Sequence, residues 1–181
     1  MEIGTALEKR AKLERFAAIK NERLKLVQFP SGELTMKGLN TYIDNLEYYE
    51  DFIPSVIITD FADKFRAETW KSEHRHGLNE IWEGHKALAQ KRHCFVGTGS
   101  QSSAAREGRD TKRGDWADDI RKLTLLDAGL IINQTEIEKD WNIYRCGVAK
   151  QRHEEFTLMA EIMVLNQLRI GRPYIDSCMM Y

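Results

Sequence analysis

Three short apolar runs constrain the fold of this chain more than any other feature. They occupy residues 54–61, 93–100 and 128–133, with the sequences PSVIITDF, HCFVGTGS and AGLIIN. None of the three alternates apolar with polar residues, so each predicts a strand buried on both faces, as in a parallel sheet. A helical pattern lies between the first two runs, and that order predicts an α/β fold.

The remaining segments predict a mixed sheet with flanking helices. Apolar residues at helical spacing predict helices over 5–23, 35–49 and 76–91, the second of them capped by Thr35. Further strands are predicted at 24–29, 141–150 and 156–165, the last of which also fits a helix, with a turn at 134–140 and a short edge element and tail over 166–181. We therefore predict a sheet that is parallel at its centre and antiparallel at one edge, with helices on both faces.

Length and composition indicate an ordinary globular protein. The chain has 181 residues, enough for one domain with a sizeable core and too few for two comfortable ones. Its net charge of -1 gives no overall basic field for nucleic acid. The cysteines Cys94, Cys146 and Cys178 form no close pair, which favours reduced thiols in the cytosol. The charged amino terminus resembles no signal peptide, so we expect a cytoplasmic protein without a membrane partner.

Asp60 is the first candidate functional residue. It ends the apolar run VIIT, and ligands of open α/β sheets bind at the carboxyl ends of the strands. A carboxylate there could hold Mg²⁺, which prefers hard oxygen ligands and often takes only one or two carboxylates. The alternative is a solvated aspartate at a strand end, because four apolar residues followed by Asp occur in many α/β proteins.

Gln101 and a basic segment follow the next apolar run. A neutral amide can donate to a phosphate and accept from a water, so Gln101 could sense a bound nucleotide; the alternative is a glutamine that caps the loop. Behind it, residues 102–121 have a polar composition and no clear period, which is typical of a functional or mobile loop. Four cations of this loop could contact nucleic-acid phosphates, although the interleaved acids favour a solvated surface: Arg106, Arg109, Lys112 and Arg113.

Lys150 and Arg152 form a pair of cations at the end of a predicted strand, in the sequence VAKQRHEEF. Alternate residues of a strand point the same way, so both side chains are expected on one side, where they could meet an anion. The alternative is a surface strand end neutralised by Glu154 and Glu155. A zinc site is disfavoured by irregular spacing among His74, His76, His85, His93 and Cys94, and His85 fits the apolar face of its predicted helix.

Taken in order, these features resemble the carboxyl-terminal part of the RecA-like ATPase domain of DnaB-type replicative helicases. The matching segments are SVIITDFADKF for the Walker B strand, GTGSQSSAAREGRDTKRGDWADDIRK for the glutamine motif with its DNA-binding loop, and VAKQR for a late strand with trans-acting cations. The similarity covers about residues 24–156, and the segment from KRGDWADDIRK to VAKQR is its most specific part.

The resemblance implies a role for each candidate residue. Asp60 would coordinate Mg²⁺, and Gln101 would couple the nucleotide state to the loop behind it. The four loop cations would track single-stranded DNA in the channel of a ring, which the family pattern implies is hexameric. Lys150 and Arg152 would reach the γ-phosphate of ATP bound by a neighbouring subunit, where an arginine stabilises the charge of phosphoryl transfer.

One departure from the family pattern is large. A Walker A loop needs the sequence G-x-x-x-x-G-K-[ST], and no glycine in this chain is followed by lysine. We therefore expect a single partial RecA-like domain over 1–181, with the amino-terminal part of the fold missing and no activity of its own. A complete protein would be an ATP-dependent DNA helicase with replisome partners. The alternatives are a catalytically degenerate adaptor that binds a helicase or a loader, and another RecA-like recombinase or clock-type ATPase.

Overall fold

A computed structural model describes residues 23–68, 74–101, 110, 120–153, 155 and 161–180. The helix predicted over 5–23 therefore lies almost wholly outside the described residues. The helices are α1 (Met36–Glu50), α2 (His74–Arg92), α3 (Ile120–Leu125) and α4 (Glu136–Asp140). The strands are β1 (Val56–Thr59), β2 (Phe95–Thr98), β3 (Ala128–Asn133), β4 (Ile143–Gln151), β5 (Glu161–Gln167) and β6 (Arg172–Met180), and 3-10 turns span Ala62–Lys64 and Leu168–Ile170.

The strands form one parallel pair and one antiparallel sheet, which confirms the predicted α/β class. Strand β1 pairs in parallel with β2, with Val56 opposite Phe95 and Thr59 opposite Thr98. Strands β3, β4, β5 and β6 form an antiparallel sheet in that order. Within the described ranges, β2 and β3 are not hydrogen-bonded to each other, so the strands fall into two sheets where the sequence predicted one.

Helix α1 forms where its sequence predicts it. The hydroxyl of Thr35 accepts a hydrogen bond from the amide of Gly38 at 3.0 Å and caps the first turn. Asp51, in the left-handed conformation, ends the helix. The predicted apolar stripe is buried, and its members are Met36, Leu39, Ile43 and Leu46.

The core lies between α1, α2 and the parallel strands. Leu88 of α2 packs with α1 residues and with Ile57 of β1, and a second cluster joins Ile81 and Trp82 to Ala62. Glycine at position 84 allows the two helices to approach, because a Cβ there would lie only 2.6 Å from Cγ of Met36. The apolar face predicted for α2 is thus confirmed.

The strands predicted to be buried on both faces are covered on one face only. Ile57 is buried, whereas its neighbours Val56 and Ile58 are exposed. Because successive side chains of a strand point to opposite faces, this pattern means that the helices cover one face of β1. In β2, Phe95 is 62% exposed, and in β3, Leu130 and Ile132 are 59% and 65% exposed. The prediction of two-sided burial was therefore wrong for the residues that the structure describes.

The strand predicted at residues 24–29 is also wrong. This segment has no regular structure and pairs with no described strand. The ring of Phe29 packs edge-on against Tyr42, with 5.7 Å between centroids, and the ammonium group of Lys25 lies 2.5 Å from a carboxylate oxygen of Glu50. The segment runs along α1 because these side chains contact the helix.

Two predictions for the antiparallel half need correction. The turn predicted at 134–140 contains the short helix α4, whose capping box joins Thr135 and Glu138. The region predicted as a short edge element and tail, 166–181, carries the nine-residue strand β6, although β6 does lie at the edge of its sheet. Strand β5 confirms the choice of strand over helix for 161–165, while 156–160 lie outside the described residues.

No helix in the described ranges is long and apolar enough to cross a bilayer.

Candidate functional site

The carboxyl ends of β1 and β2 lie side by side and are joined by one hydroxyl. Because the strands are parallel and Thr59 is opposite Thr98, the residues that follow each strand leave the sheet at the same edge. The hydroxyl of Thr98 donates to the carbonyl of Thr59 at 3.1 Å and accepts from the amide of Ala62 at 2.8 Å. Asp60 and Gln101, the residues predicted from the sequence, both emerge exposed from this edge.

Asp63 forms a polar cluster beside this edge that the sequence analysis missed. One carboxylate oxygen accepts from the hydroxyl of Ser100 at 2.6 Å. The other accepts from the ammonium group of Lys122 at 3.2 Å and from the indole of Trp82 at 3.4 Å. The Lys122 ammonium also lies 5.3 Å from the Trp82 ring centroid, within cation–π distance. The carboxylate, the cation and the indole therefore satisfy one another.

The Asp63 cluster joins both flanks of the basic loop. Ser100 immediately precedes Gln101 and the loop, and Lys122 follows it in α3. Because both donate to the same carboxylate, Asp63 connects the two segments that flank the loop. The sequence signal for Asp63 was its position three residues after Asp60, but nothing local could assign it Lys122 as a partner.

His85 lies beneath the strand ends with both ring nitrogens engaged. The carbonyl of Ile81 can only accept, so Nδ1 donates to it at 2.8 Å in the neutral ring. Nε2 then accepts from the hydroxyl of Thr59 at 3.1 Å. Burial lowers the pKa of His85 below its usual 6.5, against a smaller raising effect of the hydrogen bond to Ile81. The helix-core position predicted for this residue is confirmed.

We expect the free energy of unfolding to decrease as the pH falls, because His85 is buried in its neutral form. In the unfolded chain, His85 takes up a proton near pH 6.5, whereas in the folded chain it does so only at a lower pH. The contribution of His85 to stability is therefore complete above pH 6.5 and is lost as the pH falls through the lower folded pKa. One such group changes the free energy of unfolding by at most about 1.4 kcal/mol per pH unit. Urea unfolding between pH 7 and pH 5, compared with His85→Gln, measures this; identical pH dependence in both proteins would contradict it.

Lys150 near the end of β4 and Arg152 just after it both contact the carboxyl end of α3. Lys150 donates to the carbonyl of Leu123, and Arg152 donates to the carbonyl of Thr124 at 3.1 Å. These carbonyls carry the negative end of the helix dipole, so cations are stabilised there. Arg152 also forms an ion pair with Asp127, with 3.0 Å between Nε and Oδ1.

Asp127 forms an ion pair with Arg152 in this structure, whereas the sequence analysis considered Glu154 and Glu155, of which Glu154 lies outside the described residues. Its carboxylate also accepts from the ammonium group of Lys86. The hydrogen bond from Lys86 lowers the pKa of Asp127, and the charges of Lys86, Arg152 and His153 add to this effect. In this structure the strand-end cations therefore meet backbone carbonyls of α3 and, for Arg152, the carboxylate of Asp127.

Within the basic loop, 102–121, the structure describes Asp110 and the last two residues, Ile120 and Arg121, which begin α3. The predicted DNA contacts of the loop, Arg106, Arg109, Lys112 and Arg113, lie outside the described residues. Asp110 accepts from Arg145 of β4 at 2.8 Å, and the same guanidinium binds Glu138 at 2.7 Å and Glu161 at 3.3 Å. The hydrogen bond with Asp110, followed by that with Glu138, raises the pKa of Arg145. Asp110 is therefore an anchor point of the loop on the antiparallel sheet.

The residues present fit a magnesium ligand better than a nucleotide cradle. Asp60 is an exposed carboxylate at a strand end, which suits one ligand of a Mg²⁺ ion whose other ligands are water and phosphate. The described residues contain no group of three or more His, Cys, Asp or Glu that could hold a metal by themselves. The sequence contains no Walker A motif, so its backbone amides and lysine are not there to cradle the phosphates.

Comparison with solved structures identifies the fold. The chain superimposes on a solved ATPase domain with a TM-score of 0.63 at 13% identity, covering 77% of this chain and 50% of that one. It superimposes on a DnaB-like replicative helicase, solved in a study of its interactions with primase, with a TM-score of 0.67 at 12% identity, covering 92% of this chain and 41% of that one. No protein-family model and no curated protein matches the chain.

These superpositions show that the chain has the RecA-like fold of helicase ATPase domains. At 12–13% identity they show the fold alone. The chain spans half or less of the length of the two solved structures that it matches.

Proposed function

We propose that this chain is part of the ATPase domain of a DnaB-like replicative DNA helicase, which couples ATP hydrolysis to movement along single-stranded DNA when complete. The observation that carries the proposal is the RecA-like fold combined with Asp60 and Gln101 at the ends of neighbouring parallel strands. Ligands of open α/β sheets bind at such strand ends. A RecA-like recombinase or clock-type ATPase would share this arrangement and is the rival within the class.

Asp60 and Gln101 would act at the nucleotide. Asp60 would supply a carboxylate to Mg²⁺, and Gln101 would sense the phosphate through its amide. The hydrogen bond from Ser100 to Asp63 supports a coupling role, because it ties the residue before Gln101 to the carboxylate that also binds Lys122. Gln101 would thereby pass the nucleotide state to both ends of the basic loop.

The basic loop would contact single-stranded DNA through Arg106, Arg109, Lys112 and Arg113. Its attachment to β4 through Asp110 and Arg145 supports this role, since an anchored loop loses less conformational freedom on binding than a free one. Lys150 and Arg152 would act in trans on the γ-phosphate held by a neighbouring subunit of a hexameric ring. Replisome proteins would be the further partners, and the cytoplasm the location.

Replacing Arg109 and Lys112 together by alanine should weaken the binding of single-stranded DNA and reduce its salt dependence. Each phosphate interaction that the variant removes should reduce the slope of log K against log salt by about 0.7. Fluorescence anisotropy with a labelled oligothymidylate, measured over a range of salt concentrations, tests this. The matched control replaces Arg169 and Arg172, which are exposed beyond β5, and should leave the slope unchanged. An unchanged slope in the loop variant would mean that Arg109 and Lys112 do not contact DNA phosphates and that the loop is a solvated surface.

A second candidate function is a RecA-like adaptor that binds a helicase or a loader without hydrolysing ATP. Two observations favour it: no glycine of the sequence precedes a lysine, and Arg152 is paired with Asp127 of its own chain. A chain that folds as a monomer and responds to neither ATP nor single-stranded DNA would support the adaptor. Binding of single-stranded DNA that depends on the loop cations would support the helicase.

A further inference from the structure

Two polar clusters meet helix α3 at three consecutive residues. Lys122 donates to the carboxylate of Asp63 at 3.2 Å, and its ammonium group lies 3.4 Å from the hydroxyl of Ser100. Both partners lie beside the carboxyl ends of β1 and β2. The next two residues, Leu123 and Thr124, bind the two strand-end cations through their carbonyls. Helix α3 therefore contacts the strand ends and the cations within three residues.

These contacts are mechanically linked because they share one stretch of backbone. Each peptide unit is planar, and consecutive Cα atoms are about 3.8 Å apart. Lys122 therefore cannot move along the helix axis without moving the carbonyls of Leu123 and Thr124. The following residue, Leu125, packs against the buried cluster that contains Trp82 of α2, which gives the short helix a support. A displacement of the Lys122 contact thus shifts both carbonyls that bind the cations.

The guanidinium of Arg152 is held by the end of α3 and the residues that follow it. Nη2 donates to the carbonyl of Thr124 at 3.1 Å and to that of Leu126 at 3.4 Å. Nε lies 3.0 Å from a carboxylate oxygen of Asp127. The backbone of Arg152 follows Gln151, the last residue of β4, which is paired with β3. The sheet therefore fixes the backbone of Arg152, and the end of α3 fixes its guanidinium.

The ammonium group of Lys122 has a defined position because three groups hold it. These are the carboxylate of Asp63, the hydroxyl of Ser100 and, at 5.3 Å from its centroid, the ring of Trp82. The side chain of Lys122 is 14% exposed, whereas that of Lys139 in α4 is 64% exposed. Shielded ion pairs are screened less by water and salt than exposed ones, so the contact with Asp63 can transmit a displacement.

We propose that Lys122 is a positioning residue, which sets the placement of Lys150 and Arg152 through α3. The arrangement of Ser100 and Asp63 at the strand ends decides where Lys122 is held. The inference rests on the proposed function in one respect, since it takes the strand ends as the nucleotide site of this chain and the two cations as groups that act on a neighbour. A nucleotide at the strand ends would then influence the site of the next subunit.

An NMR measurement on the full chain, without nucleotide or DNA, tests the proposal. The Nε proton of Arg152 gives a side-chain signal, which is identified by its absence from Arg152→Ala. Lys122→Met should make this proton exchange with water about tenfold faster, because the guanidinium loses its fixed position. Lys122→Arg keeps a cation for Asp63 and should restore the exchange rate of the parent to within about twofold.

Further variants identify the route of the effect. Lys139→Met makes the same change at an exposed lysine of α4 and should leave the Arg152 signal unchanged. Asp63→Ala removes the partner of Lys122 and should speed the exchange to the same extent as Lys122→Met. The double variant should show no further increase, because residues of one network have non-additive effects.

Steady-state kinetics test the consequence in an assembly that hydrolyses ATP. Lys122→Met should lower kcat about tenfold and change KM by less than about twofold, because misplaced groups that act in the transition state are costly. Lys139→Met should keep full activity. A parent assembly without hydrolysis would contradict the proposed function, whereas the NMR measurement would still decide the role of Lys122.

Four outcomes would overturn the proposal. The first is equal exchange at Nε of Arg152 in Lys122→Met and Lys139→Met. The second is an additive effect of Lys122→Met and Asp63→Ala, which would mean two separate routes. The third is an equal acceleration at the amide of Leu88 in the core, which would mean a general loss of stability. The fourth is an unchanged kcat in Lys122→Met despite faster exchange at Arg152.

Discussion

Replacing Arg152 by alanine should lower ATP hydrolysis by about 10³-fold or more in an assembly of this chain that hydrolyses ATP, while nucleotide binding stays nearly intact. An arginine supplied in trans stabilises the charge that spreads over the γ-phosphate oxygens, and such arginines contribute about 10³–10⁵ in kcat. Steady-state hydrolysis and equilibrium nucleotide binding, measured on the same preparations, separate the two effects. Arg152→Lys should also be impaired, because an ammonium group does not reproduce the planar fork of the guanidinium.

The fold should survive the loss of Arg152. Its ion pair with Asp127 is exposed, and exposed pairs contribute only about 0–1 kcal/mol. Arg169→Ala removes an exposed arginine from the 3-10 turn after β5 and serves as the matched control with full hydrolysis. Equal rates for Arg152→Ala and its parent would show that the arginine only contacts Asp127 and the end of α3 in its own chain and does not act on the nucleotide of a neighbour.

Replacing Leu88 by alanine should destabilise the chain by about 2–5 kcal/mol, because the change removes buried methyl groups and leaves a cavity between α1, α2 and β1. Leu88 is 1% exposed and packs against Met36, Leu39, Ile43 and Ile57. The loss is a large fraction of the roughly 5–15 kcal/mol that stabilises a typical domain. Urea unfolding followed by circular dichroism measures the change in free energy.

The same substitution at Leu168 is the control. Leu168 is exposed in the 3-10 turn between β5 and β6, so its truncation should change the free energy of unfolding by no more than about 0.5 kcal/mol. Similar losses at both positions would mean that the cluster around Leu88 is not the main source of stability. A change of the urea dependence itself would point to an altered unfolded state instead.

The helices and strands that were predicted correctly are those specified by the sequence of the element itself. Helix α1 has its cap at Thr35 and a complete apolar stripe within fifteen residues, and α2 has an equally regular face. The strands β1, β2 and β3 were visible as short apolar runs between helical or polar segments. In each case the pattern is set by neighbours within a few turns of chain, which is the range that periodicity can report.

The errors arose where distant parts of the chain decide the outcome. Residues 24–29 have the composition of a strand, yet they lie along α1 through Phe29 and Lys25. An apolar run cannot tell whether one face or both faces will be covered, and Ile58 and Leu130 proved exposed. Strand propensity depends on packing partners, so the sequence alone overestimated burial.

In the candidate site too, the residues next to a recognisable strand could be predicted, and those brought together from distant parts of the chain could not. Asp60 and Gln101 could be found because each directly follows an apolar run, and Lys150 and Arg152 because they lie two apart on a strand. Asp63, Ser100 and Lys122 could not, since their cluster joins residues up to 59 positions apart. The roles of Asp60, Gln101, Lys150, Arg152 and the four loop cations stay predictions.

By itself, the sequence determined the α/β class, the helices α1 and α2 and the positions of β1, β2, β3 and β4, because hydrophobic period and turn residues act over short stretches of chain. Only the tertiary structure decided that β2 and β3 stand apart, that Asp127 meets Arg152 and that Asp63 joins both flanks of the loop. These features depend on which surfaces pack together, and contacts between distant residues leave no periodic mark on the sequence.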